Sequence, residues 1–171
     1  MKLNQFFALF IFAIIGNDLS GQSFEVPKNY QFKEAADYTK YERDIIQATT
    51  WLIATPLNEQ SDKRKEVSAF VVQWINGSPT VSVEINPTIM DFEKKNNGMM
   101  TLYMASSAKY VLENNYSKDM RAKHKAALSD MVTVYKTGIG IKKDKKMEKL
   151  IKSVEEGKID EWLDDNLKIN K

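Results

Sequence analysis

Beyond residue 34, apolar side chains recur at alternating spacings of three and four, and each such stretch stops at a proline, a glycine or an asparagine. That period puts the apolar residues on one face of an α-helix, so a chain patterned this way buries helix faces against one another. A first helix is predicted over 35–55, with Tyr38, Tyr41, Ile45, Ala48 and Leu52 as its stripe. Pro56 ends it, because the residue before a proline is driven out of the helical region. A second helix starts at Ser61 or Asp62, either of which can cap the first free amides, and buries Val67, Phe70, Val71, Trp74 and Ile75. Gly77 is expected to close it in a left-handed conformation, and Pro79 bars resumption.

Asn86 followed by Pro87 reads as a cap and first helical position for a short helix carrying Ile89, Met90 and Phe92. After a turn at Asn96, Asn97 and Gly98, a helix over 99–114 carries the small residues Ala105, Ser106, Ser107 and Ala108, which suit close approach to a neighbour. Helices over 117–136 (capped by Ser117), 144–156 (stopped by Gly157) and 158–167 complete the pattern, with a break at Gly138 and Gly140. Two segments lack the helical period. Residues 24–33 read as an extended lead-in, and 80–85 (TVSVEI) alternate in strand fashion without an evident partner, so they are expected to cross the helices and tuck in Val81, Val83 and Ile85. The fold class is therefore all-α, an irregular bundle of five to seven amphipathic helices with one short extended segment near 80–85.

The first residues follow a different rule. Lys2 is followed by ten consecutive apolar residues from Phe6 to Ile15, then by Gly16, Asn17 and Asp18, with small residues at Gly21 and Ser23. A membrane-spanning helix needs about 20 apolar residues, so this run is too short to span and matches a cleavable secretory signal peptide. The organisation expected is a signal peptide over 1–23, cleaved after Gly21 or Ser23, and a single helical domain over 24–171, located in the periplasm or outside the cell, with no membrane span once the leader is removed. About 150 residues remain, enough for one core that removes roughly two thirds of the unfolded surface from water.

The chain has no cysteine, so this core stands on packing alone, and thiol nucleophiles, zinc–thiolate sites and iron–sulfur clusters are excluded. The net charge of +2 is unchanged by cleavage, because the leader carries one lysine and one aspartate. Such a balance argues against nucleic acid as a partner, since phosphate neutralisation demands a strongly basic domain.

No catalytic, metal-binding or cofactor-binding residue is assigned from the sequence. His124, the only histidine, precedes Asp130 by six residues, about 600° around a helix, so the two diverge by some 120° and His124 reads as a rim residue. Asp160, Glu161, Asp164 and Asp165 read as a solvated face, because successive helical carboxylates do not converge as a hard cation requires. The basic run Lys142, Lys143, Lys145, Lys146, Lys149 and Lys152 is interspersed with Asp144 and Glu148 and also reads as solvated, with a modest partner-binding patch as its functional alternative. Tyr30, Phe32, Tyr38 and Tyr41, and Met90, Met99, Met100 and Met104, fit core spacing or else line an apolar groove between helices. Asn76-Gly77-Ser78 and Asn115-Tyr116-Ser117 match the glycosylation pattern, which matters only in a pathway that glycosylates.

The stretch from Lys109 to Tyr135, with KYVLENN and KAALSDMVTVY, resembles the last helices of small periplasmic helical proteins of the acid-stress chaperone and effector-immunity group. It covers under a fifth of the chain, those proteins carry a disulfide that this one cannot form, and no functional residue carries over. The function expected is a non-enzymatic protein- or ligand-binding module of the envelope, whose partner is another envelope or secreted protein. A periplasmic chaperone or immunity-like protein is one alternative, and a hydrolase using Asp91, Glu93 or Asp130 with His124 is another. A structural component of an envelope assembly is a third, and would expose an apolar patch.

Overall fold

The computed structural model describes residues 23–169, which contain eight α-helices and no strand. These are α1 (Ala35–Lys40), α2 (Glu42–Ala54), α3 (Ser61–Gly77), α4 (Pro87–Glu93), α5 (Met99–Glu113), α6 (Met120–Lys136), α7 (Lys145–Glu155) and α8 (Ile159–Leu167). The all-α class is as the periodicity implies. The signal-peptide reading of residues 1–23 falls almost wholly outside the described residues. Among the described residues no helix is long and apolar enough to cross a membrane.

The helix expected over 35–55 is two helices, because Tyr41 leaves helical geometry at φ −101°, ψ 5°. The break lets both tyrosines of the stripe face Phe32: Tyr38 stacks on it at 5.3 Å between centroids, and Tyr41 meets it edge-on at 5.6 Å. Tyr30, Phe24 and Phe70 complete this aromatic cluster, so the extended lead-in is part of the core's covering. Such offset and edge-to-face pairs add to the area they bury.

Helix α5 lies centrally and packs on α2, α3, α4 and α6. Its small residues Ala105, Ser106, Ser107 and Ala108 are all buried, and the Thr49 hydroxyl of α2 reaches the Ala105 carbonyl at 3.4 Å. Bulkier side chains there would separate the two backbones. Every residue expected on the buried face of the second helix is buried in α3. Arg64 is buried as well, and its guanidinium donates to the Leu52 and Thr55 carbonyls left open where α2 ends.

Several helix ends differ from expectation. Neither Ser61 nor Asp62 caps α3; Gln60 does so with a left-handed backbone (φ 46°). Gly77 is the last residue of α3 and has no positive φ. Its role is spatial, because a Cβ there would collide with the Tyr38 phenol. Asp119, not Ser117, caps α6, its side chain accepting from Ala122 N at 2.9 Å. The expected signals do hold at Asn86, which accepts from Ile89 N at 3.1 Å ahead of Pro87, and at Gly157, left-handed after α7.

The segment 80–85 runs extended and unpaired across the bundle. Val81 is buried and Val83 half-buried, but Ile85 is 38 % exposed, and Met90 of α4 faces solvent at 53 %, so neither joins the core as expected. At the far end α8 is held to α6 by ions: Arg121 pairs with Asp160 and Asp164, and Lys125 with Asp160 at 2.6 Å.

Candidate functional site

Two charged assemblies could carry function, and they sit on different elements. The first surrounds His124. Far from lying on a rim, His124 is 4 % exposed, and its Nδ1 meets the hydroxyl of Tyr103 on α5. That hydroxyl also lies 3.3 Å from the Glu84 carbonyl. One proton cannot serve both contacts. Donating it to the carbonyl leaves the oxygen free to accept from Nδ1–H, which suits a neutral imidazole. Burial pulls the His124 pKa below its ordinary value, and the neighbouring Lys123 charge adds to the effect while Glu84 opposes it.

Beside it Lys123, 5 % exposed at its side chain, donates to the Ser82 carbonyl at 2.9 Å and the Glu84 carboxylate at 2.7 Å. Burial alone would raise the Glu84 pKa, but the hydrogen bond and charge of Lys123 outweigh it and hold the group below its ordinary value. Together these contacts pin the extended segment onto α5 and α6. His124 lines neither the cleft between α4 and α7 nor the three smaller concavities of 230–340 Å³, although its neighbours Glu84 and Lys123 border one of them, of about 240 Å³.

Two of the three carboxylates that a hydrolase would need are committed elsewhere. Glu93 accepts from Gly98 N and Met100 N, both at 2.8 Å, and so caps α5 with its carboxylate. Asp130, on the same helix as His124, is half-buried, and burial raises its pKa. Asp91 is ion-paired to two lysines. Of the four residues named for that chemistry, His124, Glu93 and Asp91 are therefore engaged in separate contacts.

The second assembly is a cleft of about 550 Å³ between the end of α4 and the start of α7, lined by Asp91, Lys94, Lys95, Lys143, Asp144, Lys145 and Lys146. Its size is that of an ordinary small-ligand pocket. Asp91 pairs with Lys94 at 2.5 Å and with Lys146 across the cleft, and those two hydrogen bonds hold its pKa down to about 2. Asp144 caps α7, accepting from Lys146 N at 2.8 Å. Lys95 and Lys145 have no ion-pair partner among the described residues, and Lys143 has only Glu148 at 3.6 Å. Five lysines against two aspartates leave an excess positive charge at this one place larger than the +2 of the whole chain.

Half of the cleft belongs to the basic run noted in the sequence. Lys143, Lys145 and Lys146 line it, whereas Lys149 borders a neighbouring 230 Å³ concavity with Trp162 and Lys152 pairs with Glu156 at 3.7 Å. The half contributed by Asp91, Lys94 and Lys95 was not anticipated; the only local sign of it is the charge-dense stretch DFEKKNN. Asp160 and Asp164 face Arg121 and Lys125. Tyr30, Phe32, Tyr38 and Tyr41 pack into the core covering, and of the methionines Met99 and Met104 are buried, Met100 is half-buried and Met90 is exposed. No family model, curated protein or solved structure matches the chain.

Proposed function

We propose that this is an exported, non-catalytic binding module that engages an anionic partner through the lysine-rimmed cleft between α4 and α7. The observation that supports it best is the concentration of ammonium groups from two distant segments around one concavity, with three of the five lysines weakly paired or unpaired. Opposite charge on a partner is the complement such a surface selects, and it steers encounter as well as affinity. The non-catalytic part of the reading draws support from His124, which is buried against Tyr103 and outside the lining of the lysine cleft, and from the commitment of Glu93 to capping α5. Export rests on the leader pattern of residues 1–23, and an immunity-like or chaperone role is the version in which the partner is an exported protein with an acidic face.

Charge reversal tests the binding reading. Lys95→Glu combined with Lys145→Glu should abolish the binding of fluorescent polyglutamate seen with the unaltered protein, with the circular dichroism spectrum unchanged. Equal binding by both proteins, or no binding of either polyglutamate or polyphosphate by the unaltered protein, would overturn it. Export is tested by the mass of the protein recovered outside the cytoplasm, which should begin at Gln22 or Phe24; recovery with Met1 intact would contradict it.

A further inference from the structure

We infer that the anion recognised in the cleft is a multivalent phosphate, either a chain of linked phosphates or an array of phosphate headgroups; this rests on the reading of the cleft as the binding face. All seven lining residues are charged, so the walls offer lysine stems and ammonium groups and no apolar side chain for a hydrophobic ligand to displace. None of the cations is an arginine. The arginine fork fixes a carboxylate or a phosphate in one bidentate geometry, whereas the ammonium is a point charge with rotating donors that binds phosphate oxygens without demanding one orientation, which suits a run of linked or arrayed phosphates.

The backbone points the same way. The eleven-residue α7 begins at the cleft, with Lys145 and Lys146 as its first two residues, so its positive end adds to the lysines. Asp144 occupies part of that end through its bond to Lys146 N. The opening also exceeds what one phosphate fills. Lys94 and Lys146, from the two walls, already share the one Asp91 carboxylate, whereas Lys95, Lys143 and Lys145 line the cleft without sharing it, so linked groups have more cations to engage than a single group has. A lone carboxylate gains little here, since Asp91 already supplies one to Lys94 and Lys146. A more highly charged anion recruits Lys95, Lys143 and Lys145 and draws the other two away from Asp91.

The test is calorimetric titration of the purified protein with tripolyphosphate, orthophosphate and tricarballylate, alongside co-sedimentation with vesicles of phosphatidylglycerol or of phosphatidylcholine alone. Tripolyphosphate should bind about tenfold more tightly than either small anion, or the protein should sediment with the phosphatidylglycerol vesicles only. The first result assigns a soluble source and the second a membrane surface, and in each case Lys95→Gln with Lys145→Gln should remove the binding. Equal, lysine-dependent affinity for tripolyphosphate and tricarballylate without vesicle binding would overturn the phosphate inference and leave the cleft as an anion site. No binding of any probe, or binding indifferent to the substitutions, would overturn both.

Discussion

Asn96 and Lys142 are joined by two hydrogen bonds, Asn96 Nδ2 to the Lys142 carbonyl at 2.9 Å and Lys142 N to Asn96 Oδ1 at 2.7 Å. The asparagine amide pairs with the backbone as a neighbouring peptide would, and it does so at 4 % exposure. It thereby ties the turn after α4 to the segment before α7, the two walls of the cleft, 46 residues apart in sequence.

Asn96→Ala should therefore act on both stability and binding. It leaves the Lys142 amide and carbonyl without their partner, a loss of about 1–3 kcal/mol. Urea denaturation should register that loss, and hydrogen exchange should show the Lys142 amide opening faster. Anion affinity should fall with it, although Asn96 is not among the residues lining the cleft.

Asp91→Asn separates charge from architecture. Asp91 is the carboxylate that Lys94 and Lys146 already share. Removing its charge frees both ammonium groups, so polyanion binding should tighten several-fold while the melting temperature changes little, as expected of solvent-accessible ion pairs. Weaker binding in this variant would show that Asp91 positions the lysines and does not compete with the ligand.

The helix faces were legible in the sequence because burial imposes their period: Ile45, Ala48 and Leu52, or Val67, Phe70 and Trp74, could face nowhere else. The break at Tyr41 was not, since it follows from the aromatic packing of Phe32, a contact outside the helix. Helix ends were legible where a local rule acts, at Asn86–Pro87, and not where a distant group intervenes, as at Gly77 beneath Tyr38. The cleft was half legible for the same reason. Lys143 to Lys146 read as a charge run, but nothing local says that Lys94 and Lys95 face them, because the joining contacts are tertiary.

Stability should depend on pH through His124 in a definite window. Its pKa lies below the ordinary 6.5 in the folded protein, so the unfolded chain takes up the proton first. Stability is then greatest above 6.5 and falls as pH drops through that value toward the lowered folded one. As this is the only histidine, the urea midpoint should fall between pH 7.5 and 5.5, about the range in which an imidazole titrates. His124→Gln should flatten the dependence in that range. Glu84, with its pKa lowered, contributes stability that is present above 4.5 and is lost as pH falls further.

Gly77→Ala should be destabilising by about 1–3 kcal/mol, the usual cost of forcing atoms into an occupied site. The added methyl meets the Tyr38 hydroxyl and ring. In a Tyr38→Phe background the hydroxyl oxygen is gone, so a thermal-melt double-mutant cycle should return a smaller cost for the same glycine change.

The most direct measurement is an amide-resolved NMR titration of the protein with tripolyphosphate. Shifts confined to residues 91–96 and 142–147, and absent in the Lys95→Gln, Lys145→Gln variant, are the predicted result. Shifts centred on Glu84, Lys123 and His124, or none anywhere in a protein that also fails to sediment with phosphatidylglycerol vesicles, would contradict the assignment of function to the lysine cleft.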